Sequence, residues 1–139
     1  MKSISSKKLK GNIIIPGDKS ISHRLVILSS ISIGKSTIKG ILKSDDIMKS
    51  INVMRSFGAS IDFTSSNNCI IRGIGLGGLE EPKSALDFGN SGTSARLIMG
   101  LSSTHPITTI FTGDDSLSMR PMKRVVKPLL NFGSNFSLR

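Results

Sequence analysis

A short run in the middle of this chain comes back near its end. Phe57-Gly58-Ala59-Ser60-Ile61-Asp62-Phe63 is answered by Phe132-Gly133-Ser134-Asn135-Phe136-Ser137-Leu138. Asp45-Asp46 is answered by Asp114-Asp115, and a glycine turn at Gly17 by another at Gly89. These pairs all lie about 70 residues apart, which is the signature of a duplicated supersecondary unit. A chain built this way must run through the same elements twice.

The first pass predicts the order β-α-β-α-β-β. Asn12-Ile13-Ile14-Ile15 reads as a buried strand broken by Pro16-Gly17, and residues 20–33 as a helix ended by Gly34. Residues 36–42 alternate partly and read as a strand. Ser44-Asp45-Asp46 is an N-cap signal, and Ile47, Ile51 and Met54 follow as the stripe of an amphipathic helix closed by Phe57-Gly58. Residues 59–63 and 69–72 read as two strands joined by a turn at Ser65-Ser66-Asn67-Asn68. Unit one thus spans about residues 12–72, and residues 73–83 form a Gly-rich connector.

Unit two, about residues 84–139, repeats the pattern. A strand over 84–88 leads into the Gly89–Thr93 turn and a helix over 94–103. A β-branched strand over 106–112 follows. Asp114-Asp115 announces a second helix, with Pro121 near its first turn and Pro128 as a conflict inside it. Residues 135–138 open a strand whose return partner would come after Arg139, so unit two reads as incomplete, with one strand edge left open to self-association. The predicted fold class is α/β (α+β), made of repeated β-α-β-α-β-β units.

The net charge of +10 implies attraction to anions. With no Trp or Tyr, and no dense run of cations beyond Lys7-Lys8-Lys10, the pattern argues against nucleic acid. The Lys7-Lys8-Lys10 run reads as a solvated lead-in. The single cysteine, Cys69, sits in an apolar run and reads as an inert core thiol; it excludes an internal disulfide. His23 and His105 lie too far apart to suggest a metal site. No apolar run approaches the ~18 residues of a membrane span, and none resembles a signal peptide, so the expected compartment is the cytoplasm.

Two apparent phosphate motifs fail. Gly34-Lys35-Ser36-Thr37 has Ser29 where a P-loop needs its first glycine, and Gly73, Gly75 and Gly78 open no amphipathic helix. Three other stretches carry more. Pro16-Gly17-Asp18-Lys19-Ser20-Ile21-Ser22-His23-Arg24 brings two cations and two hydroxyls to a helix start, where free N–H groups and the helix dipole favour an oxyanion. Asp87-Phe88-Gly89-Asn90-Ser91-Gly92-Thr93-Ser94-Ala95-Arg96 repeats that logic, with Gly92 allowing close backbone approach. Thr112-Gly113-Asp114-Asp115-Ser116-Leu117-Ser118-Met119-Arg120-Pro121-Met122 presents Arg120 from a proline-constrained turn. Each stretch alone also fits a capped helix start with solvated charges.

Together, and in this order, the three stretches resemble the N-terminal part of the EPSP synthase family, the 3-phosphoshikimate 1-carboxyvinyltransferases. The related UDP-N-acetylglucosamine enolpyruvyl transferases have a different first loop. The resemblance implies a two-domain enolpyruvyl transferase fold of six such units, monomeric in its full-length form. It also implies transfer of the enolpyruvyl group of phosphoenolpyruvate to the 5-hydroxyl of shikimate 3-phosphate, without metal or organic cofactor. By resemblance, Lys19, Ser20 and Arg24 bind shikimate 3-phosphate; Lys19, Gly92 and Arg120 face phosphoenolpyruvate; and Asn90, Thr93 and Arg96 line the same region. The family's acid/base carboxylates match nothing in this stretch, so no catalytic residue is expected here and these 139 residues alone are expected not to turn over. Glyphosate, a phosphoenolpyruvate mimic in this family, is expected to fit beside Gly92. The alternative is a stand-alone module binding polyanions or nucleic acid, which salt dependence would reveal.

Overall fold

The structure is a computed structural model that describes Lys8 and residues 10–137. Its first half is built on helix α1 (Lys19–Ile31), strand β1 (Ile33–Lys39), helix α2 (Asp45–Ser56) and strands β2 (Ser60–Ser65) and β3 (Asn68–Ile74). Asp18 caps α1 by accepting from the Ile21 N–H at 2.7 Å. Helix α2 begins with Asp45 and Asp46 and ends with Arg55, charges that complement its dipole at both ends. The three strands form an antiparallel sheet of order β1-β3-β2. One sheet face is apolar: Ile38, Ile61, Cys69 and Ile71 are buried against Val26 and Ile27 of α1 and Ile47, Ile51 and Met54 of α2.

The second half again alternates strands and helices. Strand β4 (Leu86–Asp87) leads through the Gly89 turn into helix α3 (Gly92–Ser102), and strand β5 (Phe111–Thr112) pairs with β4 in parallel. Phe88 and Phe111 stack beside this pair, with ring centroids 4.9 Å apart. Leu86, Phe88, Ala95, Ile98 and Leu117 join the same core as unit one. Both glycine turns abut the chain that follows the next strand. A Cβ on Gly17 would lie 2.1 Å from the Gly40 carbonyl oxygen, and one on Gly113 would lie 2.7 Å from the Gly89 carbonyl oxygen. The connector is pinned: Leu79 is buried, the Glu80 N–H donates to the Phe57 carbonyl at 3.0 Å, and the Glu81 carboxylate accepts from the Thr108 N–H at 2.7 Å.

Several sequence expectations need correction. Residues 12–15 form no strand; Ile13, Ile14 and Ile15 are exposed, Ile14 fully. An apolar run becomes a strand only when a neighbour pairs with its backbone, and the sheet of order β1-β3-β2 gives it none. The second strand starts three residues earlier than predicted, at Ile33, because Gly34 (φ 92°) joins the strand instead of capping the helix. The helix announced by Asp114-Asp115 is two helices, α4 (Asp115–Ser118) and α5 (Lys123–Asn131). Pro121 disfavours helical backbone at Arg120 and so separates them. Pro128 stays within α5, where it removes one N–H and leaves the Arg124 carbonyl without its helical donor. Residues 134–137 are irregular where a strand was predicted, and Leu138 lies outside the described residues, as does Lys7 of the predicted lead-in. Cys69 is buried, as expected, and burial pushes its thiol pKa up. Among the described residues, no helix is long and apolar enough to cross a membrane.

Candidate functional site

The first turn delivers its cations to the start of α1. Lys19 forms an ion pair with Asp46 at the start of α2. Arg24 folds back along its own helix, donating from Nη1 to the Ser20 carbonyl at 3.0 Å. Ser20 is exposed. Ser22 points inward instead, donating to the Asp18 carbonyl at 2.7 Å and accepting from the Leu42 N–H at 3.0 Å. This fixes the turn against the chain that leaves β1.

The second turn is held by carboxylates. Asp87 accepts from the Gly89 N–H at 2.8 Å and pairs with Lys49 of α2. Ser91 caps α3, accepting from the Ser94 N–H at 3.4 Å. Asn90 is gripped from both sides: its amide donates to Asp114 at 2.7 Å, and its carbonyl oxygen accepts from Arg120. Arg120 also donates to Ser116 at 3.3 Å. The hydrogen bonds from Asn90 and from the Leu117 N–H hold the Asp114 carboxyl below its ordinary range. Lys49 and the Gly89 N–H do the same for Asp87.

Gly92 is the buried centre of this arrangement. A Cβ placed on it would lie 2.9 Å from Arg120 Nη1 and 3.2 Å from Arg96 Nη1. Two guanidiniums therefore meet over the first residue of α3, next to that helix's free N–H groups. Arg96 Nε is buried without a partner among the described residues. Desolvation lowers the Arg96 pKa, and the positive charges of Arg124 and Arg120 push the same way. A bound anion would relieve the repulsion between such neighbours. Thr93 is exposed beside them at the start of α3.

Of the sequence-predicted residues, the structure brings Gly92, Asn90, Arg96 and Arg120 into direct contact range. Lys19 is set apart from them: its partner Asp46 lines, with Lys49, Gly89, Asn90 and Asp114, a cleft of about 400 Å³ between the two halves of the chain, and of the four only Asn90 lines it. Sequence reasoning missed Asp46, Lys49 and Asp114 as site residues. In the sequence Asp46 and Asp114 read only as helix-start signals.

A family model described as EPSP synthase (3-phosphoshikimate 1-carboxyvinyltransferase) matches residues 4–139. Among curated relatives, a 3-phosphoshikimate 1-carboxyvinyltransferase from Novosphingobium aromaticivorans is 49% identical over 129 residues, 93% of this chain and 29% of the relative. One from Sphingopyxis alaskensis is 50% identical over 133 residues, covering 96% of this chain and 30% of the relative. The solved structure of an EPSP synthase from Acinetobacter baumannii superimposes with a TM-score of 0.86 at 41% identity, over 90% of this chain and 28% of that one. The chain spans less than a third of the length of these proteins.

Proposed function

This chain belongs to the EPSP synthase family, and we propose on that footing that it supplies part of the site at which phosphoenolpyruvate and shikimate 3-phosphate meet. The observation that carries the proposal is the meeting of Arg96 and Arg120 over the bare α-carbon of Gly92. Arginine forks suit the carboxylate and phosphate of phosphoenolpyruvate, and the missing side chain at Gly92 leaves room for the ligand to reach the helix start. Lys19, as a compact movable charge, faces both ligands, and Ser20 and Arg24 take the shikimate 3-phosphate side. Asp46 restrains the Lys19 ammonium until an anionic ligand competes for it. Asn90 and Thr93 line the pocket.

The reaction supported by this reading is transfer of the enolpyruvyl group to the 5-hydroxyl of shikimate 3-phosphate with release of phosphate. Positive groups placed where charge develops would lower its barrier. The 139-residue chain supplies anion-binding groups without a paired acid and base, so it binds without turning over. Its two units, about residues 12–72 and 84–139 joined by the connector, act as one arm of a larger site. The protein works in the cytoplasm and needs no metal or organic cofactor. Glyphosate occupies the same place as phosphoenolpyruvate, against Gly92.

A turnover assay with both substrates, run beside calorimetric titration of each, tests the proposal. Specific binding that persists at 0.2 M salt (about the range over which polyelectrolyte binding collapses), without product, is the expected result. Binding to any polyanion that vanishes with salt would favour the stand-alone module, and product formation by the chain alone would contradict the division of labour.

A further inference from the structure

Behind the two anion turns runs a buried chain of polar side chains that the proposed site does not use. His23 of α1 is fully buried, with Nδ1 2.7 Å from Ser50 Oγ of α2. Ser50 Oγ lies 2.7 Å from Ser94 Oγ of α3, and it donates to the Asp46 carbonyl at 3.2 Å. Ser50 and Ser94 are also fully buried. His23 Nε2 has no partner among the described residues.

Proton accounting chooses between the two ways of filling this chain. If Ser50 donates to Nδ1, the histidine proton sits on Nε2, and a buried N–H is left without an acceptor. If Nδ1 carries the proton, it donates to Ser50 Oγ, Ser94 donates to the second lone pair of that oxygen, and Ser50 donates to the Asp46 carbonyl. Every proton is then placed, and only an acceptor lone pair on Nε2 is left over. Orphaned buried N–H groups are the rarer and costlier defect.

We propose that His23 is a positioning residue: as the Nδ1–H tautomer it donates to Ser50 and, through Ser50 and Ser94, holds the start of α1 in register with the start of α3. Lys19, Ser20 and Arg24 lie on or beside the first turn of α1, while Gly92, Thr93 and Arg96 lie on the first turns of α3. Ser50 is the shared acceptor, and it is tied to the backbone of the residue whose carboxylate pairs with Lys19. The chain therefore fixes the distance between the groups for one ligand and the groups for the other. The binding part of this inference rests on the function proposed above; the tautomer part does not.

Nitrogen-15 imidazole spectra of the 139-residue chain provide the first test. Its two histidines, His23 and His105, are assigned with His105→Gln. The expected result is a protonated Nδ1 and a bare Nε2 on His23; an Nε2–H tautomer overturns the inference. Ser50→Ala is then expected to shift the amide signals of Ser20 and of Gly92 and Thr93 together, with circular dichroism unchanged, and to weaken phosphoenolpyruvate binding about fivefold. Amide signals of α3 left in place by Ser50→Ala would also overturn it. His23→Asn carries an amide nitrogen near the place of Nδ1 and is expected to keep affinity within about twofold, whereas His23→Leu is expected to lose as much as Ser50→Ala. Equal losses in the two His23 variants would count against the donor role. If the unaltered chain binds no phosphoenolpyruvate, the site reading fails, while the tautomer and the coupled amide shifts still decide this inference.

Discussion

At Gly92 one added methyl group has a predictable consequence. It would sit 2.9 Å from Arg120 Nη1 and 3.2 Å from Arg96 Nη1, both far ends of flexible side chains. Gly92→Ala should therefore leave stability within about 1 kcal/mol, because the arginines swing aside and alanine favours the helix. What changes is the space at the helix start: on the proposed function, Gly92→Ala is predicted to weaken glyphosate binding to the chain, and coincident binding isotherms for the two forms would contradict this. A second prediction concerns acid. Asp87 and Asp114 have carboxyl pKa values lowered by hydrogen bonds, so each stabilises the fold above the ordinary carboxylate value and loses that contribution as pH falls through its lowered one. Urea midpoints should drop below about pH 4, and Asp114→Asn should flatten that drop. The three loops stand out in the sequence only together and in order, because each alone also fits a capped helix start with solvated charges. Asp46 and Asp114 do not stand out, since a carboxylate at a helix start looks the same whether it caps a helix or holds a lysine or an asparagine.

The elements were legible where side-chain period and caps agreed. Ser44-Asp45-Asp46 with Ile47, Ile51 and Met54 announced α2, and the helix is there from Asp45 to Ser56. The reading failed where pairing decided. Ile13-Ile14-Ile15 has the letters of a strand but no neighbour in the sheet, and it is exposed. It failed again at Arg120, where Pro121 splits one apparent helix into two. Two glycines test the packing of these elements against each other. A Cβ on Gly73 would lie 2.1 Å from the Ser32 carbonyl oxygen and 2.5 Å from that of Ser29, both backbone atoms that cannot rotate away. Gly73→Ala should cost about 1–3 kcal/mol. A Cβ on Gly100, inside α3, meets nothing within 4 Å, so Gly100→Ala should gain about 0.5–1 kcal/mol through helix propensity. Urea unfolding of the two variants checks both signs.

Across the whole molecule, one core runs through both halves of the chain, and a cleft lies between them. The alternation of strands and helices in both halves was legible at this scale, because two glycine turns and two acidic pairs recur about 70 residues apart. The cleft was not, because its walls come from α2, the second turn and the start of α4, which are far apart in sequence. The buried histidine gives the fold a pH response of its own. Burial lowers the His23 pKa, with Lys19 and Arg24 adding to that and Asp46 opposing it. Its contribution is complete above the unfolded value of 6.5 and declines as pH falls below it, because the unfolded chain then takes up a proton that the native one resists. The urea midpoint should fall between pH 7.5 and pH 5.5 (a window set about the ordinary imidazole value), and His23→Asn should remove that slope. The measurement that bears most directly on the proposed shared anion site is a nitrogen-15 titration of the chain with phosphoenolpyruvate and shikimate 3-phosphate together. The amides of Ser20, Gly92 and Thr93 and the side-chain signal of Arg120 are predicted to move on a single saturable isotherm. Shifts scattered over all the basic surface, or movement of the first turn without the second, would contradict it.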